Sequence, residues 1–477
     1  MKYKFLIVNL FMVSLIFSQN INRKKNVQIA IEEFLNTAEL KNAHIGISVR
    51  SLKSGKEIYN LHGRQNFSPA SNLKLLYTLA AIDKKGKEFT YQTNLYYNGK
   101  IVNRMLFGDL IIQASGDPSF ASIRMNDSLE KHLNAIVSRI KARNIQMVSG
   151  KLIMELNGWR YPIPGSIPVE DIGNYYGTGA WGFNFNDNRL DIYLQRNENE
   201  NHPTKIPFTK PQLSGITFVN KVVTAAPDTD DEAYVYAAPY CTLRYIMGTI
   251  PAGKTHFKLK AGMPNPPLSF LKILKEKLQE NGISIKDIQI KYTQNKYHYL
   301  LWQYTSKPLI DIVKTTNDYS INHFSEALAW LIIQKDKPAN GYLDKQKIND
   351  FFASYGFNNS DIEDGCGLAP DNLIQPTEMT KFLKLMSDKL GKTTVLDILP
   401  HAGTDGYAKY FLQNSKWQKN VWVKSGSVSK IRNYSGIFKS KSGKYYSFSI
   451  MTNFFKGKHQ PVKKAIEKLT ETFIKAL

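Results

Sequence analysis

The strongest constraint on this chain is a change of texture in its middle. Up to about residue 90 strand-like and helix-like stretches alternate, and from about Leu300 that alternation returns. Between Thr90 and Tyr299 the sequence carries short strands and Gly/Pro/Asn-rich turns, with helices expected near 126–143 and 268–282. Before this middle region the periodicity predicts a helix over Val27–Leu35. A hairpin then follows, with strands Gly46–Arg50 and Glu57–Leu61 joined by the turn Lys53–Lys56, and a helix over 72–83 ends at Gly86. After it come helices at 308–315, 322–335, 343–354 and 377–389, strands at 420–424, 433–438 and 445–452, and an amphipathic helix at 461–476. Val462, Ile466, Leu469 and Phe473 stripe that last helix, which reads as a core-packing face rather than a membrane-surface one. The first hairpin and the last strands can pair in one antiparallel sheet. The fold is therefore expected to be α/β (α+β): helices sandwiched against a sheet built from both ends of the chain, with the middle inserted.

A chain of 477 residues exceeds one ordinary core. The division that follows is a discontinuous main domain over 19–90 and 299–477, and an inserted region over 91–298. The insert splits into two small domains, 91–165 with 262–298, and 166–261. Residues 1–18 read as a secretory signal peptide. Lys2 and Lys4 precede an apolar run from Phe5 to Phe17, broken only by Asn9 and Ser14, and cleavage is expected near Ser18. The run is short for a spanning helix, which leaves an uncleaved anchor as the second reading. An exported protein of the periplasm or cell envelope is expected. The net charge of +23 admits nucleic acid, an anionic membrane or an anionic polymer as partner. The basic residues are scattered and no zinc-finger spacing occurs, so nucleic acid is not expected, whereas loose association with anionic envelope surfaces is. Cys241 and Cys366 can form one long-range disulfide, but two free buried thiols are the more economical reading. Neither a metal site nor a cofactor is expected.

Three short motifs follow in order: Ser71-Asn-Leu-Lys74, Ser320-Ile-Asn322 and Lys424-Ser-Gly426. Each alone is weak. Ser-x-x-Lys recurs at Ser128, Ser138, Ser269 and Ser427, and Lys-Ser-Gly recurs at 53–55 and 441–443. Context chooses among them. Ser68-Pro69 resembles a helix start, with Ser68 as cap and Pro69 in the first turn. Ser71 and Lys74 then share a face of that turn, where burial and the helix dipole lower the lysine's proton affinity. The Lys-Ser-Gly copies at 53–55 and 441–443 sit between strands as hairpin turns. Lys424, by contrast, ends the apolar strand Val421–Val423 and is followed by Ser425, Gly426 and Ser427, which leave room for a substrate backbone to lie alongside. Ser320 and Asn322 fall on a short connection between helices. Together these groups offer a nucleophile, an adjacent base, a second hydroxyl for the leaving group and a carboxylate site. No histidine enters any motif, so the Ser-Lys form of acyl transfer is indicated.

This motif order resembles the serine penicillin-binding proteins, whose motifs are Ser-x-x-Lys, Ser-x-Asn and Lys-Thr-Gly. The 249 positions from Ser71 to Ser320 resemble one branch of them: the low-molecular-mass D-alanyl-D-alanine carboxypeptidase/endopeptidases with a large insertion after the nucleophile. Pro69-Ala70, Gly108-Asp109-Leu110 with Gly116-Asp117-Pro118, Asp364-Gly365-Cys366-Gly367-Leu368 and Gly403-Thr404-Asp405-Gly406 extend the likeness from about residue 28 to the C-terminus. The resemblance implies a transpeptidase-like fold, with a five-stranded antiparallel sheet flanked by helices and inserted β-rich domains. It implies acylation of Ser71 by a D-alanyl carbonyl with Lys74 as base, proton transfer through Ser320, and a substrate amide held by Asn322. Lys424 and Ser425, beside Gly426, would hold the carboxylate, and the amides of Ser71 and Ser427 the oxyanion. Asp171 would meet the amine end of the stem-peptide side chain. Peptidoglycan stem peptides and cross-links, and β-lactam antibiotics, are the implied partners.

The chain departs from the pattern at Ile321, where Asp is usual, at Ser425 for Thr, and at Cys366 in place of a pocket serine. A β-lactamase-like hydrolase and a catalytically idle peptidoglycan-binding protein of the same fold are the alternatives.

Overall fold

The computed structural model describes residues 25–159, 163, 166–333 and 343–477. The expected signal segment, 1–18, lies outside the described residues. The sheet anticipated from the two chain ends forms. Its strand order is Val421–Val428, Ile431–Lys439, Tyr445–Asn453, His44–Ser51, Glu57–Leu61. All its pairings are antiparallel, and Ser48 lies opposite Ser449 where the first strand meets the last.

Period-two alternation decides which faces the sheet buries. Ile45, Ile47 and Val49 point to one side and pack against a helix over 25–35 and the closing helix His459–Ala476. The stripe residues Val462, Ile466, Leu469 and Phe473 are all at most 1% exposed, so that face packs core, each side chain contributing about 1.5–3 kcal/mol. Ser48 points the other way, where its Oγ lies 2.8 Å from Thr380 Oγ1 of the helix Pro376–Leu390. On this side the helices Lys74–Lys85, Leu309–Tyr319 and Asn322–Ile333 complete a second core. Lys74–Lys85 is central, with every residue from Lys74 to Ile82 buried. Gly86, at φ +79°, closes it as the left-handed C-cap that glycine accepts freely.

The middle region forms a seven-stranded sheet and two three-stranded ones. The large sheet packs on helices Leu129–Lys141 and Pro266–Glu280 around Phe120, Leu152 and Phe270. The small sheets share a core of Leu190, Ile192, Val222, Val235 and Ile246. Tyr299–Thr305, expected at the start of the returning segment, instead pairs antiparallel with Gln92–Tyr97 in the large sheet. The hydrogen bonds Ser306 N to Tyr91 O and Tyr91 N to Ser306 Oγ carry that pairing past its end. The chain thus leaves and re-enters the main fold at adjacent points, the geometry that lets a large insertion sit in a closed core at little entropic cost.

Candidate active site

Ser71 stands on a short 3-10 turn, Ala70–Leu73, that feeds directly into the helix Lys74–Lys85. Ser68 makes no capping bond there, contrary to its expected role. Its carbonyl instead accepts from the Asn433 and Asn453 side-chain amides, which tie the turn to the sheet. Ala70, at φ +46°, takes the left-handed conformation that costs a side-chain-bearing residue about 1–2 kcal/mol. Gly367 packs so closely that a Cβ on it would lie 1.9 Å from Ala70 O. The nucleophile is therefore presented by a strained turn clamped between the sheet and the 364–367 segment.

Lys74 Nζ lies 2.8 Å from Ser71 Oγ and donates to Cys366 O at 2.7 Å. Its side chain is fully buried, and burial pushes the ammonium below the ordinary lysine range against the opposing pull of Cys366, Asp364 and Glu326. Beneath it, Asp364 accepts from the backbone amides of Cys366, Gly367, Leu368 and Ala369 and from Asn372 Nδ2. Glu326 accepts from Gly365 N at 2.9 Å. Burial, reinforced by the Asp364 charge, raises Glu326 to about 8, so it carries its proton at neutral pH. Glu326, Asp364 and Cys366 each bring a ligand-type atom within 4.8 Å of the others. The Asp364 oxygens, however, are taken up by those amides, and the thiol points at this carboxylate with Sγ 3.6 Å from Oδ2. Cys366 was expected as a pocket group. Its side chain is buried beneath the turn, and only its carbonyl reaches the catalytic lysine.

The other two motifs converge on the same point. Ser320, at φ +53°, ends the helix Leu309–Tyr319, and Asn322 begins the next helix. Ile321 between them is a core residue, and its amide donates to Thr316 O, so an apolar anchor holds the loop at the position where the resemblance expects Asp. Lys424 Nζ donates to Ser320 Oγ at 2.8 Å and to Ser425 O at 2.7 Å. Lys424 is 1% exposed, and burial, aided by Lys74 and Arg432, pushes its ammonium well below the ordinary range. Lys424, expected at the carboxylate site, is thereby in direct contact with Ser320. Gly426 is needed for close approach, since a Cβ there would lie 2.5 Å from Pro69 O. Ser425 and Ser427 face a 510 Å³ recess together with Ser71, Ser320, Arg432 and Lys463. Arg432, opposite Ser427 in the sheet register, did not emerge from the sequence motifs.

On the far side of Ser71 opens a cleft of about 950 Å³. The inserted region supplies one wall, through the short helix Val169–Ile172 and Tyr175, Tyr176, Tyr234 and Tyr236. Asn322 Nδ2 crosses to it and donates to Tyr176 O at 2.8 Å. Asp171 lines this cleft and accepts from Tyr176 Oη at 3.1 Å; burial raises its carboxyl above the usual range. Ser320, Asn322, Ser425, Ser427 and Asp171 thus line the two recesses that meet at Ser71, Lys74 contacts Ser71, and Lys424 and Gly426 stand behind them against Ser320 and Pro69. Both cysteines are unpaired; Cys366 is buried as expected, whereas Cys241 is only half-buried.

Comparison with known proteins agrees with this geometry. The chain is 24% identical over 430 residues to the D-alanyl-D-alanine carboxypeptidase DacB of Haemophilus influenzae, covering 85% of this chain and 84% of the relative. It is 21% identical over 450 residues to the D-alanyl-D-alanine carboxypeptidase of Actinomadura sp. strain R39, covering 90% and 81%. Its fold superposes on the crystal structure of penicillin binding protein 4 (dacB) from H. influenzae with a TM-score of 0.79 at 22% identity, covering 93% and 98% of the two chains. A second structure of that protein, complexed with a novel β-lactam, gives 0.76 at 21% identity, covering 93% and 99%. The family described as D-Ala-D-Ala carboxypeptidase 3 (S13) matches residues 27–474, nearly all of the described structure. With its motif triad assembled around one serine and residues 27–474 matched, the chain belongs to the D-Ala-D-Ala carboxypeptidase 3 (S13) family.

Proposed function

We propose that this chain is an exported serine DD-peptidase that cuts D-alanyl bonds of peptidoglycan stem peptides and cross-links, and that β-lactams acylate it at Ser71. The observation that carries the reading is the fully buried Lys74 with Nζ 2.8 Å from Ser71 Oγ. A lysine whose ammonium is disfavoured by burial is free to take the serine proton. Ser71 Oγ then attacks the penultimate D-Ala carbonyl, and the amides of Ser71 and Ser427 hold the oxyanion. The proton taken by Lys74 is relayed through the Ser320 hydroxyl, which Lys424 contacts, to the leaving nitrogen as the C–N bond breaks. Water later attacks the ester, restoring Ser71 and releasing the shortened peptide. In this reading Lys424 and the hydroxyls of Ser425 and Ser427 hold the terminal carboxylate, with Arg432 adding positive charge, and Asn322 holds the substrate amide. Asp171, beside Tyr176, meets the amine of the side chain. The two inserted domains shape the peptide cleft. The basic surface allows loose association with an anionic envelope.

Digestion of purified cell wall, with fragments identified by mass, tests the reading. Wild-type enzyme is expected to release D-alanine from pentapeptides and to convert cross-linked dimers to monomers, and Ser71→Ala to do neither. Folded wild-type enzyme that leaves both fragments intact would refute it.

A further inference from the structure

One surface outside the reaction centre breaks the usual pattern of an exposed sheet. The strand Leu243–Pro251 pairs with Tyr234–Tyr236 on one side and Thr217–Ala225 on the other. Its inner face is core: Val222, Val235, Ile246 and Ile250 are at most 1% exposed. A half-buried sheet ordinarily turns polar residues outward. Here the outer face carries Tyr234, Leu243, Tyr245 and Met247, exposed by 42%, 44%, 37% and 42%. The register places Tyr234 beside Met247 and Tyr236 beside Tyr245, and Val219 flanks Tyr245 from the third strand. Paired residues share a face, so these side chains lie on one side of the sheet, with Lys221 beside Met247 on the third strand and neighbouring Cβ atoms about 5 Å apart across strands and about 7 Å along them. An apolar patch of this kind on an exposed face marks a binding surface.

The platform is not isolated. Tyr234 and Tyr236 also line the cleft that contains Ser71 and Asp171, so the outer sheet face continues the cleft wall away from the nucleophile. Resting on the peptidase reading above, we propose that this face binds the glycan strand from which the stem peptide hangs. The occupant follows from the continuity. A stem peptide with its D-alanyl end at Ser71 is tethered at its other end to a sugar polymer, which must lie within one short peptide of the nucleophile. Tyrosine suits it chemically. The ring faces stack on the apolar C–H faces of pyranose rings, and the phenol hydroxyls bond sugar hydroxyls and acetamides. Their stiffness keeps the ordering cost low. The inserted region thereby contributes polymer recognition to an acyl-transfer site supplied by the two chain ends.

The double variant Tyr245→Ser/Met247→Ser, neither residue lining the cleft, tests this. With melting temperature checked against wild type, kcat/KM on a soluble pentapeptide and the rate of penicillin acylation are expected to stay within about twofold. Release of D-alanine from intact cell walls is expected to fall about tenfold, and co-sedimentation with walls stripped of stem peptides by an amidase to be lost. Unchanged turnover and binding of walls would overturn the proposal, as would an equal fall on the soluble peptide. A wild-type dimer in sedimentation that the variant converts to monomer would assign the face to a second copy and overturn it too. Wild-type enzyme inactive on the soluble pentapeptide refutes the peptidase reading instead, and glycan binding is then decided by co-sedimentation with stripped walls alone.

Discussion

Replacing Lys74 with methionine is expected to slow acylation of Ser71 by about 10⁴-fold or more, with little change in unfolding. Methionine fills the same buried volume without needing a partner, so the loss falls on chemistry rather than packing. The pH profile of wild-type acylation carries the same information. Burial lowers the proton affinity of Lys74, so the rising limb belongs below the ordinary lysine value of 10.5. Glu326, raised to about 8, carries its proton below that pH and ionises above it. A new negative charge beside Lys74 favours the ammonium and draws the proton back. Ionisation of Glu326 is therefore expected to hold acylation back above about pH 8 in wild type relative to Glu326→Gln. Stopped-flow acylation with a chromogenic β-lactam measures both effects. Lys74→Met reacting at the wild-type rate would exclude Lys74 as the base.

Asp364→Ala is expected to be the most destabilising single change in the site, by about 3–5 kcal/mol in urea unfolding. The carboxylate is 0% exposed and accepts from the amides of Cys366, Gly367, Leu368 and Ala369 and from Asn372. Removing it leaves those donors buried without partners. The same change releases the Cys366 carbonyl that holds Lys74 and the Gly367 turn pressed against Ala70, so acylation is expected to fall with stability. Asp364→Asn keeps part of the acceptor capacity and is expected to lose less. A cost under about 1 kcal/mol for the alanine variant would show that the turn holds its shape without this carboxylate.

The sequence was most legible where chemistry is local. Ser71 and Lys74 are three residues apart, so a helical turn places them together whatever surrounds it. Ser320–Asn322 and Lys424–Ser427 could be singled out because their contexts, a short interhelical link and a strand with small residues, are written in adjacent positions. The hairpin and closing strands paired as expected because their alternation leaves one register that buries both faces. What stayed hidden depends on partners far along the chain. Nothing near Ala70 announces its φ of +46°; contacts from Asn433, Asn453 and Gly367 impose it. Glu326 looks like an ordinary helix carboxylate until Asp364 and Lys74 are folded against it. Arg432 joins the recess through its pairing with Ser427, and Lys424 meets Ser320 only once the strand is folded against that loop. Tyr299–Thr305 was set on the wrong side of a boundary because a strand's own residues do not name its sheet.

The claim that most needs testing is that Ser71 is the acylated nucleophile. Intact-protein mass spectrometry after incubation with benzylpenicillin, followed by peptide mapping, addresses it directly. The account requires one adduct of the antibiotic's mass on the peptide containing Ser71 and none on folded Ser71→Ala. An unmodified folded wild type, or an adduct that persists in Ser71→Ala, would contradict it.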